Sequence, residues 1–316
     1  MTSRPPHLEL ADAEGDAAPA VVVLDGGMSN ALEERGNEVS GALWTARLLR
    51  DAPGEIAAVH RAYYAAGARV ATTASYQASV AGFEACGLLR AEAERLITRS
   101  VGIARTVRDG LAADGVRRWV AASVGPYGAV LADGSEYRGR YGLSPRALRD
   151  FHRPRLELLA AAEPDLLAVE TIPDADEAEV LAGLLDEVGL PAWFSFSAKG
   201  LHTRAGQPLA DAFAIAASPT SVFAVGVNCC APADVQDAVG LAVEVTGRPA
   251  VAYPNSGEEW QAAHCSWTGG SAYDVALVPE WLRAGAVYVG GCCRVGPDTI
   301  ATLTDNVSRT RPLRRG

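Results

Sequence analysis

Four of the six cysteines stand in two adjacent pairs, Cys229-Cys230 and Cys292-Cys293. Each pair follows a short apolar run: Val222-Phe223-Ala224-Val225-Gly226-Val227-Asn228 before the first, Val287-Tyr288-Val289-Gly290-Gly291 before the second. Gathered thiolates are soft ligands, and zinc is the first metal such a set suggests. In a reducing compartment, paired thiols point to metal binding or catalysis rather than to disulfides. Three thiolates leave a fourth position open, as a catalytic zinc requires, whereas four close the site as a structural one. Cys230 is the fourth candidate. Neighbouring residues on a regular strand face opposite ways, so Cys292 and Cys293 share an ion only if the backbone bends, which Gly290 and Gly291 permit. Cys86 and Cys265 read as small hydrophobes.

Two carboxylates, Asp25 and Glu170, end otherwise apolar runs. Beside Asp25, Gly26 and Gly27 expose backbone N–H groups, so the same face offers a cation site and an anion site. That pairing suits the zwitterionic end of an amino acid. Of the five histidines, His7 falls in the N-terminal lead-in, and His60 and His152 fall on expected helices. His202 and His264 lie in loops from which they can reach the site. No G-x-S-x-G or Ser/His/Asp arrangement is present.

The runs that would carry these residues number eight: about 20–24, 69–73, 118–124, 165–171, 191–197, 222–228, 249–253 and 287–289. Helical patterns alternate with them, at about 53–66, 91–111, 145–162, 174–188, 209–217, 234–246, 278–284 and 297–307. Strands that read as unbroken apolar runs are those buried on both faces of a parallel sheet. Eight β-then-α repeats predict a single-domain (β/α)8 TIM barrel over 19–307, between a disordered lead-in at 1–18 and an Arg-rich tail at 308–316. A doubly wound sheet is the alternative, but no G-x-G-x-x-G follows the first strand. In a barrel, functional side chains gather at the C-terminal ends of the strands, which is where Asp25, Thr73, Ser123, Glu170, Ser197, Asn228 and the cysteine pairs stand. The 316 residues carry a net charge of −10, with no basic patch of the kind nucleic acid needs. The absence of a signal peptide and of an 18-residue apolar run predicts a cytoplasmic protein away from the membrane.

These residues in this order resemble the homocysteine S-methyltransferase family. The matching pieces are Leu24-Asp25-Gly26-Gly27-Met28, Thr72-Thr73-Ala74-Ser75-Tyr76-Gln77-Ala78-Ser79, Val169-Glu170-Thr171-Ile172-Pro173, Gly226-Val227-Asn228-Cys229, Tyr253-Pro254-Asn255-Ser256-Gly257-Glu258 and Gly290-Gly291-Cys292-Cys293-Arg294. They span about 20–305. The resemblance implies a zinc-dependent barrel in which Cys229, Cys292 and Cys293 hold Zn2+. It implies that Asp25 and Glu170 bind the homocysteine ammonium and that amides near Gly26 and Gly27 bind its carboxylate. Thr73 and Asn228 would line the pocket, with Tyr76 nearer the methyl donor. The branch resembled uses S-methylmethionine or S-adenosylmethionine, a small sulfonium partner for homocysteine. Other readings keep the barrel but change the acceptor to another thiol or selenol, or the donor to betaine. A non-catalytic zinc protein would instead close the site with Cys230.

Overall fold

The eight apolar runs form eight parallel strands: β1 (Val22–Val23), β2 (Val70–Thr72), β3 (Trp119–Val124), β4 (Leu166–Ile172), β5 (Ala192–Phe196), β6 (Val222–Asn228), β7 (Ala250–Tyr253) and β8 (Ala286–Val289). The structure, a computed structural model, describes residues 21–39, 44–261 and 266–310. The expected lead-in with His7, the loop residues His264 and Cys265, and the tail beyond residue 310 lie outside the described residues. Pairing runs β1-β8-β7-β6-β5-β4-β3-β2. The two ends meet where Leu24 bridges Val70 and the Arg69 N–H donates to Val23 C=O at 2.7 Å. An open doubly wound sheet has no such closing contact, so the fold is the (β/α)8 barrel.

Each strand is buried on both sides because its alternate residues meet different cores. Val120, Ala122 and Val124 of β3 pack outward against helices, while Trp119 and Ala121 pack into the barrel. Small inward residues, Ala121, Ala168 and Ala224, make room for Trp119, Trp193, Tyr253 and Tyr288 in the same interior cluster. One layer higher the inward positions turn polar. Ser123 donates to Glu170, and Ser195 Oγ lies 2.8 Å from both Asn228 Oδ1 and Tyr253 Oη. The polar layer is the floor of the site.

Eight helices cover the outside: α1 (Pro53–Ala65), α2 (Arg90–Gly110), α3 (Pro145–Ala161), α4 (Ala175–Val188), α5 (Leu209–Ala216), α6 (Val235–Thr246), α7 (Val278–Ala284) and α8 (Pro297–Thr310). Two of these helices start on side-chain caps: Ser144 Oγ accepts from Ala147 N at 3.2 Å, and Asp174 Oδ1 accepts from Asp176 N at 3.1 Å. Helix α8 continues to Thr310, past its expected end near 307. Further short helices, Met28–Glu34, Trp44–Asp51, Val80–Ala85 and Tyr127–Leu131, occupy stretches expected to be loops or left unassigned. They are one or two turns long, too short for a periodic apolar stripe to declare itself. No helix among the described residues is long and apolar enough to cross a membrane.

One core residue makes the fold sensitive to acid. His60 on α1 is fully buried, and neither ring nitrogen has a hydrogen-bond partner. Burial holds it neutral, lowering its pKa from 6.5 to about 4. The unfolded chain therefore binds a proton that the folded chain refuses, and stability is lost as pH falls from 6.5 towards 4. The span corresponds to about 3 kcal/mol. His60→Leu should remove this contribution to the acid limb, so that denaturant midpoints of the variant fall less than those of the parent between pH 7 and pH 4.5.

Candidate metal centre and cavity

The cysteine turns come from β6 and β8, with β7 between them. Cys229, Cys292 and Cys293 bring their sulfurs within 4.8 Å of one another, the only such cluster among the described residues. Cys229 Sγ and Cys293 Sγ are 3.7 Å apart. Tyr137 Oη lies 3.2 Å from Cys229 Sγ and 3.9 Å from Cys293 Sγ. As bare thiols the three share charge unequally. S–H hydrogen bonds from Cys292 and Cys293 favour the Cys229 thiolate and hold its pKa well below the usual thiol value, while theirs are raised.

The segment after β7 splints the two turns together. Pro254 C=O accepts from Cys292 N at 2.8 Å, and Asn255 Oδ1 accepts from Cys293 N at 3.1 Å. On the other side, Asn255 N donates to Cys230 C=O at 3.0 Å, and Cys229 N donates to Tyr253 C=O at 3.2 Å. Asn30 Oδ1 accepts from Arg294 N at 2.5 Å, and Glu258 pairs with the Arg294 guanidinium at 2.8 Å.

The bend that joins the thiols differs from the one expected. Gly290 and Gly291 do not take positive φ; that conformation falls instead on Cys229 (φ 50°) and Arg294 (φ 64°). The two glycines are needed for close approach. A Cβ on Gly290 would stand 2.7 Å from Leu24 Cβ, and one on Gly291 2.1 Å from Val295 Cγ1. The kink at Cys229 also sends its neighbour the other way. Cys230 is buried in the apolar shell and outside the sulfur cluster, and burial pushes its thiol well above the usual range.

Beside the thiols lies a cavity of about 120 Å³. Asp25, Gly26, Gly27, Thr73, Tyr76, Glu170 and the three cysteines all line it. Asp25 accepts from Thr72 N at 2.6 Å and from Thr72 Oγ1 at 2.8 Å. Glu170 accepts from Ser123. Burial is the main cause that raises both carboxyls to about 7, against those hydrogen bonds. Two expected residues serve differently. Gly27 N donates to Val295 C=O at 3.0 Å, which removes one of the two glycine amides from the expected anion site. Asn228 lies under the cavity rather than on its wall: its Oδ1 accepts from Thr171 N and its Nδ2 donates to Thr171 Oγ1, both at 2.7 Å. His202 is exposed on a hairpin and does not reach the site.

Three residues of the cavity and its support escaped the sequence reading. Glu136 and Tyr137 line the cavity from the turn Ser135–Tyr137. Arg155 on α3 is 1% exposed and donates to Gly125 C=O and to Ser75 and Tyr76 C=O, at 2.9–3.1 Å, tying down the loop that carries Tyr76. Arg155 does fall on the apolar stripe Leu148, His152, Leu156, Leu159, which was its available signal.

With this geometry in hand, comparison with known proteins is informative. The homocysteine S-methyltransferase family model matches residues 22–307. Homocysteine S-methyltransferase 4 of Zea mays is 45% identical over 304 residues, covering 90% of this chain and 89% of the relative. Homocysteine S-methyltransferase of Escherichia coli strain K12 is 45% identical over 291 residues, covering 90% of this chain and 94% of the relative. The crystal structure of the Escherichia coli homocysteine methyltransferase MmuM in its metallated form superposes with a TM-score of 0.84 at 42% identity, covering 94% of this chain and 98% of that one.

Single Cys→Ala changes at 229, 292 and 293 should each lower bound metal measured by mass spectrometry of the digested protein. Cys230→Ala should keep full metal content. Asn255→Ala removes only the acceptor that orients the Cys293 turn, so a chelator should strip its metal about 10–100 times more readily. Full metal in Cys292→Ala would refute the cluster.

Proposed function

Because this chain belongs to the homocysteine S-methyltransferase family, we propose that it methylates homocysteine to methionine from a small sulfonium donor, with zinc as its metal. The single observation that carries the reading is the meeting of three thiols and two buried carboxyls at one cavity. Zn–S bonds of about 2.3 Å in a tetrahedron set neighbouring sulfurs about 3.8 Å apart. The 3.7 Å between Cys229 Sγ and Cys293 Sγ fits that edge. Cys229, Cys292 and Cys293 would hold the ion, and Cys230 in the apolar shell leaves the fourth position to substrate. When bound there, zinc supplies the positive charge that keeps a thiol deprotonated at neutral pH.

The chain's own residues bind and orient. Asp25, steered by Thr72, and Glu170, steered by Ser123, take the homocysteine ammonium. A cation between them would lower both raised pKa values and hold the pair ionised. The substrate sulfur then faces the three cysteines, and the thiolate attacks the donor methyl in line. One S–C bond forms as the donor's S–C bond breaks. The bonding pair stays on the donor sulfur, which leaves as a neutral thioether, so no proton need be delivered. The residues act by positioning and by excluding water.

Charge supports a sulfonium donor. No Lys, Arg or His side chain lines the cavity among the described residues, whereas three carboxyls do. S-methylmethionine carries a net positive charge, and betaine carries none. Tyr76 on the cavity wall is the aromatic ring proposed to face a cation, a contact of about 0.5–2 kcal/mol, whereas the Arg204 guanidinium already stands over the Tyr137 ring at 5.8 Å. A cavity this small favours S-methylmethionine over the bulkier S-adenosylmethionine. Thiols that must stay reduced support a cytoplasmic setting.

With homocysteine and one equivalent of zinc, the purified protein should form methionine fastest from S-methylmethionine, more slowly from S-adenosylmethionine and least from betaine. Methionine formed from betaine alone would overturn the donor assignment. Glu170→Gln should raise KM for homocysteine while metal content stays full. It should also alter stability in a pH-dependent way. The Glu170 pKa rises on folding to about 7, so its favourable contribution is present below the unfolded value and lost as pH rises through 7. The substrate-free variant should therefore melt higher than the parent at pH 8, with the gain shrinking towards pH 5.

A further inference from the structure

Glu136 has a feature that Asp25 and Glu170 lack. It is 2% exposed, lines the same cavity as Cys229, and its Oε2 has no hydrogen-bond partner. Asp25 is supplied by Thr72 and Glu170 by Ser123. A buried carboxylate oxygen left without a partner is costly and calls for a counterpart. No cationic side chain among the described residues lines the cavity to provide one.

The presentation of Glu136 is built rather than incidental. Gly134 takes φ 81° to start its turn, and Tyr137 N closes it on Gly134 C=O at 3.1 Å. Ser135 N is held by Asp133 Oδ1 at 2.9 Å, and Arg138 Nη2 donates to Ser135 Oγ at 3.0 Å. Behind it, Gly128 lets the Tyr127–Leu131 helix press close, since a Cβ there would stand 2.6 Å from Glu136 N. The next residue, Tyr137, reaches Cys229 Sγ at 3.2 Å, so the turn that carries Glu136 abuts the thiol cluster.

We infer that Glu136 receives a positively charged group of the methyl donor and thereby selects donors of net positive charge. This rests on the sulfonium reading above and adds the residue that enforces it. The donor has two cationic groups that fit, the sulfonium itself and the α-ammonium. The transfer consumes the sulfonium charge, so a carboxylate facing it steadies the bound donor more than the transition state and acts on KM before kcat.

The test uses the zinc-loaded full chain as wild type, Glu136→Gln and Glu136→Asp. S-methylmethionine binding is followed by calorimetry, and turnover by methionine formation. Glu136→Gln should weaken S-methylmethionine, in Kd and in KM, by about 10–100-fold, with KM for homocysteine and zinc content changed less than about twofold. Glu136→Asp keeps the charge and should recover part of the loss. Product inhibition by methionine, which has the ammonium but no sulfonium, separates the two sources. Measured against S-methylmethionine at saturating homocysteine, which fills the acceptor site, inhibition weakened in parallel places Glu136 on the ammonium; unchanged inhibition places it on the sulfonium. Unchanged donor affinity in Glu136→Gln, with the wild type active, overturns the inference and leaves the functional reading standing. Equal loss of donor, homocysteine and zinc in both variants marks a merely structural role and also overturns it. A wild type that neither binds nor uses a sulfonium overturns both.

Discussion

Three sulfur atoms from two strands must meet although a third strand runs between them. Everything at the mouth of this barrel follows from how that gap is bridged. Backbone groups of Tyr253, Pro254 and Asn255, with the Asn255 side chain, hydrogen-bond to both cysteine turns. The intervening strand is thereby converted from an obstacle into a frame. The left-handed φ at Cys229 costs free energy for a residue with a Cβ. It persists because that frame fixes the residues on either side. The same kink separates the roles of two adjacent thiols, one in the cluster and one in the apolar shell.

Close approach is the second constraint. The end of β1 and the turn after β8 run so near each other that Gly26, Gly27, Gly290 and Gly291 have no room for a side chain. Tyr63 on α1 fastens this contact, its hydroxyl 2.9 Å from Gly27 C=O and 3.1 Å from Val295 C=O. Asp25 and Cys292 consequently belong to one rigid patch, although they are far apart in the chain. The fit that sets Asp25 and the β1 glycines beside Cys292 comes from backbone packing rather than from long side chains.

Electrostatically, the cavity is receptive to cations. Burial raises Asp25, Glu170 and Glu136 to about 7, and three thiols share the same wall. Each group is poorly solvated there, so a metal ion, an ammonium or a sulfonium gains from an environment that the folded chain alone leaves unbalanced. The polar layer under the cavity, Ser123, Ser195, Asn228 and Tyr253, fixes the orientation of these groups without adding a positive charge.

The sequence by itself determined the barrel, because parallel strands buried on both faces leave unbroken apolar runs that need no partner to be recognised. It also determined the polar strand ends, since Asp25, Glu170, Asn228 and the cysteine pairs interrupt those runs at the position where a barrel places its chemistry. The family resemblance pointed to Cys229, but the spacing of the residues fits Cys229 and Cys230 alike, and the physical reason that Cys229 turns inward, one backbone dihedral, is visible only in the tertiary structure. It alone showed that Asn228 supports the wall, that Gly27's amide is already used, and that Glu136 and Tyr137 belong to the site. Those last two sit in a Gly/Tyr-rich loop with no periodicity. Their role depends on how the loop folds back over strands distant in sequence, and nothing local in the chain encodes that return.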